Sequence, residues 1–92
     1  MYLRITRGRF DPAKADQFVP LAREVNAAVQ RLPGCQSMHM GVDRNAGRIA
    51  AVSTWDTEEH AQFSRETLGD VMTRIHALGT QLDPPEVYEV EV

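Results

Sequence analysis

Leu32-Pro33-Gly34-Cys35-Gln36-Ser37-Met38-His39-Met40-Gly41-Val42-Asp43-Arg44-Asn45-Ala46-Gly47-Arg48-Ile49-Ala50-Ala51-Val52-Ser53-Thr54-Trp55-Asp56-Thr57-Glu58-Glu59-His60-Ala61 is the stretch whose reading decides the fold. Pro33-Gly34 stops a helix, because proline cannot continue it and glycine takes the left-handed position that ends it. From Cys35 to Asp43, Met38, Met40 and Val42 fall on one strand face and Ser37, His39 and Gly41 on the other. Asp43-Arg44-Asn45-Ala46-Gly47 suits a tight hairpin turn, with Gly47 at a left-handed position. A third strand runs from about Arg48 to Trp55, in a register that is open by one residue. That slip decides whether Trp55 shares the Met face or the His39 face. Asp56 or Thr57 then caps a helix; with Asp56 as cap, Glu59 completes a capping-box pattern.

Working outward, the first strand spans roughly Tyr2 to Phe10, with Leu3 and Ile5 alternating against Arg4 and Thr6. Asp11-Pro12 stops it and opens a helix, with Asp11 as N-cap and Pro12 at the first helical position. Phe18, Leu21, Ala22, Val25, Ala28, Val29 and Leu32 follow as one apolar stripe. Pro20 inside that stripe predicts a kink or split near Val19. After the capped turn, Gly69 predicts a break. Leu68, Val71, Met72, Ile75, Leu78 and Leu82 form a second amphipathic stripe. Pro84-Pro85 forces an extended entry into a last strand, Glu86 to Val92.

The order βαββαβ is the ferredoxin-like arrangement, an α+β fold in which both helical segments cover one face of an antiparallel sheet. The other face is not clearly polar, because Tyr2, His39, the mostly apolar third strand and the last strand cannot all be solvated. A second copy of the chain would cover that face and close a barrel. Ninety-two residues make one domain, 1–92, small enough to gain from dimerisation. A net charge of −3 with no dense Lys/Arg patch argues against nucleic-acid binding. No apolar run reaches the ~18 residues of a membrane span. Met1-Tyr2-Leu3-Arg4-Ile5 lacks a signal-peptide layout, so a cytoplasmic location is expected. The single Cys35 rules out an internal disulfide and fits a reducing compartment.

Phe10-Asp11-Pro12-Ala13-Lys14, Leu32-Pro33-Gly34-Cys35, the turn Asp43 to Gly47, Thr54-Trp55-Asp56-Thr57-Glu58-Glu59-His60 and Pro84-Pro85-Glu86-Val87 together resemble the antibiotic-biosynthesis-monooxygenase-like group of dimeric α/β-barrel proteins. The resemblance covers nearly the whole chain, and its signatures are structural rather than catalytic. It implies a homodimer with a pocket between sheet and helices in each subunit. It also implies a cofactor-independent monooxygenase acting with O2 on a small planar aromatic molecule of anthrone or quinol type. The alternative on the same fold is a non-catalytic, small-ligand-binding or stress-associated protein. A third reading is a purely structural dimerisation module. The haem-degrading branch uses an Asn in the first strand and a Trp in the later helix, where this chain has Arg4 or Thr6 and Ser64. That departure argues against haem degradation, although His76 lies near the position of that branch's His.

Oxygenation without a cofactor needs a dry pocket, a base and a donor for an enolate-like oxygen. His39, mid-strand and opposite the Met face, is the candidate base. Arg4, with Tyr2, is the candidate oxyanion holder; Arg4 equally suits a pair with Glu89 or Glu91 on a neighbouring strand. Trp55 suits stacking on a flat substrate, or closing the sheet end as core. His60, in a first helical turn, suits a neutral pocket-lining or exposed role, and His76 a helix boundary. Cys35, His39, His60 and His76 lack compact ligand spacing, so no metal site and no cofactor are expected. No phosphate loop, nucleophile elbow or Cys-x-x-Cys is present.

Overall fold

A computed structural model describes residues 1–92. Five strands form one antiparallel sheet: β1 (Tyr2–Arg9), β2 (Cys35–Asp43), β3 (Arg48–Trp55), β4 (Gln81–Leu82) and β5 (Glu86–Glu89). There are three helices, α1 (Ala15–Gln30), α2 (Glu58–Ala61) and α3 (Asp70–Ala77), with one 3₁₀ turn at Pro12–Lys14 leading into α1 and another at Arg65–Leu68 between α2 and α3. The sheet order is β2-β3-β1-β4, with β5 also on β1, and this is the ferredoxin-like α+β arrangement expected from the element order.

The hairpin β2–β3 keeps its expected bounds. Asp43 closes it twice, its main-chain oxygen accepting from Gly47 N at 2.9 Å and its carboxylate from Ala46 N at 2.9 Å. Gly47 sits at φ +67°, and a Cβ there would run into the Phe10 carbonyl. The open register resolves in one direction. Met38 pairs with Ser53 and Met40 with Ala51, while Trp55 pairs with Cys35 and Tyr2. Trp55 therefore shares the Met face. A bulge between Cys35 and Ser37 absorbs the extra residue.

Pro20 does not split α1, which runs unbroken from Ala15 to Gln30. The bond lost at proline belongs to the Asp16 carbonyl, and both residues lie on the solvent side, where a freed oxygen costs little. The buried stripe is Ala15, Phe18, Ala22, Val25 and Val29. After β3, Thr57 is the N-cap of α2, the second of the two caps the sequence allows, its hydroxyl accepting from His60 N at 3.1 Å. The last strand is shorter than Glu86 to Val92 and is preceded by β4, which carries Leu82. Pro84 and Pro85 supply no amide donors, so the ladder along β1 is interrupted between Gly8↔Leu82 and Ile5↔Glu86.

Period-two alternation sorts the sheet into two faces. Arg4, Met38, Ile49, Ser53 and Trp55 are buried beneath the helices, which cover that face only. The opposite face carries Leu3, Ile5, Val52, His39 and Tyr88, with Val52 37% and Tyr88 50% exposed. No helix of the chain is long and apolar enough to cross a membrane.

Candidate functional site

A cavity of about 60 Å³ lies between the helix-side face of the sheet, α1, α3 and the cover Phe63–Leu68. Sixteen residues line it and 12 are hydrophobic, so the two charged ones, Arg4 and Arg65, set its electrostatics; no Asp, Glu or His lines it.

Arg4 is delivered by the middle of β1 and is only 4% exposed. Its Nη1 donates to the Ala61 carbonyl at 2.9 Å and to the Phe63 carbonyl at 2.9 Å. Ala61 is the last residue of α2, so Arg4 serves an end carbonyl that has no partner within its own helix. Its guanidinium lies 3.8 Å from the centroid of the Phe63 ring. The expected pairing with Glu89 or Glu91 does not form: Arg4 stands opposite Val87, and no carboxylate pairs with it. Burial, with the like charge of Arg65 adding to it, pulls its pKa down to about 10, so it remains a cation at neutral pH. Its Nε and Nη2 have no protein acceptor, and the side chain lines the cavity.

Trp55 is fully buried. Its Nε1 donates to Ser53 Oγ at 2.8 Å, and its ring meets Phe63 at 5.2 Å and 42°. It does not line the cavity; it backs Phe63, which does. Trp55, Phe63 and Arg4 thus form one chain of contacts, the indole tilted against the ring and the guanidinium over the ring face.

The other candidates lie elsewhere. Tyr2 is beside Trp55 at the end of β1, with its hydroxyl donating to Glu89 at 3.1 Å. That bond to a carboxylate raises the Tyr2 pKa. His39 is exposed on the opposite face, in a row with Val52 and Ile5. The sheet separates it from Arg4. His60 forms a half-exposed pair with Asp56, Nδ1 to Oδ1 at 2.7 Å. The pair is seated on Gly34 (φ +81°), whose missing Cβ leaves the space both side chains occupy. The His60 bond holds the Asp56 carboxyl below its usual range. Of the five residues singled out from sequence, only Arg4 reaches the cavity.

Arg65 and Phe63 were not anticipated as site residues. Arg65 donates to the Asp83 carbonyl, and burial lowers its pKa against the opposing effect of the Asp83 carboxylate. Their signal was faint: an Arg two residues beyond an aromatic, in the short segment between α2 and Gly69. No cluster of three or more His, Cys, Asp or Glu side chains could hold a metal ion.

Residues 1–77 match the family model described as "Antibiotic biosynthesis monooxygenase", and the chain belongs to that family. Two strains of Mycobacterium tuberculosis carry an uncharacterized protein, Rv2558 in one of them, that is 32% identical over 75 residues. The match covers 80% of this chain, which spans about a third of the length of those relatives (32%). Among solved structures, a Deinococcus radiodurans protein superposes with a TM-score of 0.80 at 16% identity, covering 100% of this chain and 94% of that one. SnoaB, a cofactor-independent oxygenase from Streptomyces nogalater solved as a point mutant, superposes at 0.74 with 15% identity, covering 99% and 93%. At these identities the likeness is one of fold.

Proposed function

We propose that this member of the family is a monooxygenase that uses the cavity beneath the helices to oxidise a compact, single-ring phenol or quinol with O2 and no cofactor. The observation that carries the reading is a buried guanidinium, without a carboxylate partner, facing an apolar cavity. Such a group stabilises negative charge on a substrate oxygen more than it stabilises the neutral phenol, which is what lowering the barrier to ionisation requires. An ionised phenol is electron-rich enough to reduce O2 itself. One ring C–H becomes C=O, the phenolic proton and the ring hydrogen leave with the second oxygen atom as water, and all electrons come from the substrate. No external reductant enters that balance. The apolar walls keep water from the intermediates.

Size narrows the substrate. About 60 Å³ is well below the ~150 Å³ that holds a benzene ring. A single ring enters only if the cover Phe63–Leu68 moves outward, and a three-ring anthrone needs far more. The quinol end of the range is therefore favoured. The apolar face bearing Leu3, Ile5, Val52 and Tyr88 supports pairing with a second copy, which would cover His39 in the interface rather than bring it to the cavity.

The test is oxygen uptake by chelator-treated, flavin-free protein against single-ring phenols and hydroquinones. Uptake that falls at least tenfold in a folded Arg4→Met variant supports the reading. Uptake that is unchanged in that variant overturns it. A second reading, a protein that binds the same ligands without reacting, is favoured by the absence of an acid or base from the lining. Ligand-induced rises in melting temperature without oxygen uptake would select it.

A further inference from the structure

The cavity carries more positive charge than a phenolate can balance. Arg4 and Arg65 both line it, and no acidic residue does. Arg4 is enclosed and spends one nitrogen on two main-chain carbonyls. Arg65 is partly exposed, on the segment that covers the cavity, and its one protein acceptor is the main-chain oxygen of Asp83. The Asp83 carboxylate acts on it from a distance but forms no ion pair with it. Two guanidiniums at different depths present separate donor sets to one ligand. A planar fork is matched best by a carboxylate, which takes two parallel N–H bonds and is ionised throughout the neutral range.

We infer that the ligand of this cavity is a hydroxyaryl carboxylate, with its ring oxygen at Arg4 and its carboxylate at Arg65 near the surface. The inference rests on the cavity being the substrate site, and it names the substrate class more narrowly. Arg65 is then a specificity residue: it selects acids over neutral rings of the same size. Because Arg65 belongs to the cover, a carboxylate bound to it also ties the cover to the ligand.

The experiment compares ring compounds with and without the charge. Calorimetric affinities are measured for benzoate and for benzamide, which has the same shape and no charge, in wild type, Arg65→Gln and Arg65→Lys. Oxygen uptake with 2,5-dihydroxybenzoate and with hydroquinone is measured on the same proteins. Benzoate is expected to bind about tenfold or more tightly over benzamide in wild type, the range for one charge-assisted pair. In Arg65→Gln the preference should fall to about threefold or less, and Arg65→Lys should recover part of it. Thermal melts confirm folding, which a partly exposed side chain is not expected to endanger. Equal binding of benzoate and benzamide, no binding of either, or a preference untouched in Arg65→Gln overturns the inference, even if hydroquinone is oxidised. Arg65-dependent benzoate binding without any oxygen uptake leaves the inference standing and removes the monooxygenase.

Discussion

Replacing Arg4 by Met keeps most of the side-chain volume and removes the charge, so its effect can be worked from the contacts. The substitution loses the charged hydrogen bond to the Phe63 carbonyl, about 1.5–3 kcal/mol, and the one to the Ala61 carbonyl, which is counted below. It also loses the interaction with the Phe63 ring, about 1–2 kcal/mol. Against this stands the cost of burying a guanidinium, several kcal/mol, which the variant no longer bears. These terms nearly cancel, and the Ala61 carbonyl decides the sign. Phe63 is part-buried beside a cavity of about 60 Å³, well above the ~10–15 Å³ one water needs, so water can replace Arg4 there. The bond to Ala61 is buried, and the fully enclosed Ala61 is left with an orphaned carbonyl, at about 1–3 kcal/mol. A net loss of about 2 kcal/mol follows, equivalent to a fall in Tm of about 8–16 °C for a domain of this size. Urea unfolding followed by the fluorescence of the single Trp, at one fixed protein concentration because dimerisation would add to stability, measures it. A variant within about 0.5 kcal/mol of wild type, or more stable than it, would refute the assignment of Arg4 as the group that closes α2.

Gly34→Ala places a methyl where the Asp56 carboxylate and His60 ring now sit, at φ +81°, and should cost about 1–3 kcal/mol in urea unfolding; a neutral result would mean that this seat is not built around the missing Cβ. Asp56 has a carboxyl pKa below its ordinary value in the fold, so its contribution is fully present above about pH 4 and fades as pH falls through the folded value. Asp56→Asn should therefore flatten part of the stability loss below about pH 4, and curves that stay parallel would contradict this. His39→Ala should leave oxygen uptake within about threefold, since the sheet stands between His39 and the cavity and general-base loss costs about a hundredfold or more. Val52→Glu puts a carboxylate amid the apolar open face and should turn a dimer into a folded monomer in sedimentation; a wild-type monomer would remove the need for a second copy.

Local chemistry made the hairpin legible. Asp43 and Gly47 close the turn with their own side-chain and backbone preferences, so β2 and β3 could be bounded without knowing what packs on them. Tertiary choices were not legible. Leu3 and Ile5 are the apolar residues of β1, yet they lie opposite the helices, and Arg4 and Thr6 turn toward the cavity. Alternation identifies two faces but names the inner one only when the other is polar, and here the other face also carries Val52 and Tyr88. The register through Trp55 settles it, because Trp55 on the Met face carries Ser53 and the paired Arg4 to the same side. Pro20 does not split the helix, because its cost depends on whether the Asp16 carbonyl is wet, which the stripe of apolar residues does not say.

The site was legible only in part: Arg4 stands out in the sequence as a holder of negative charge, but the base sought beside it, His39, lies across the sheet, and the second cavity cation, Arg65, lies in a segment without a motif. A guanidinium near pKa 10 is a poor base at neutral pH but a permanent positive field in an apolar lining. Its position depends on the Trp55–Phe63–Arg4 contacts and on the end of α2, a short helix of four residues. Helix end, cover and ligand charge thus meet at one side chain. Drawing Arg4 toward a ligand anion would weaken its hold on the Ala61 and Phe63 carbonyls, and with it the seat of the cover. Ligand entry and cover movement would be coupled through that exchange of acceptors, because the same Nη1 cannot serve two carbonyls and a ring oxygen anion at full strength.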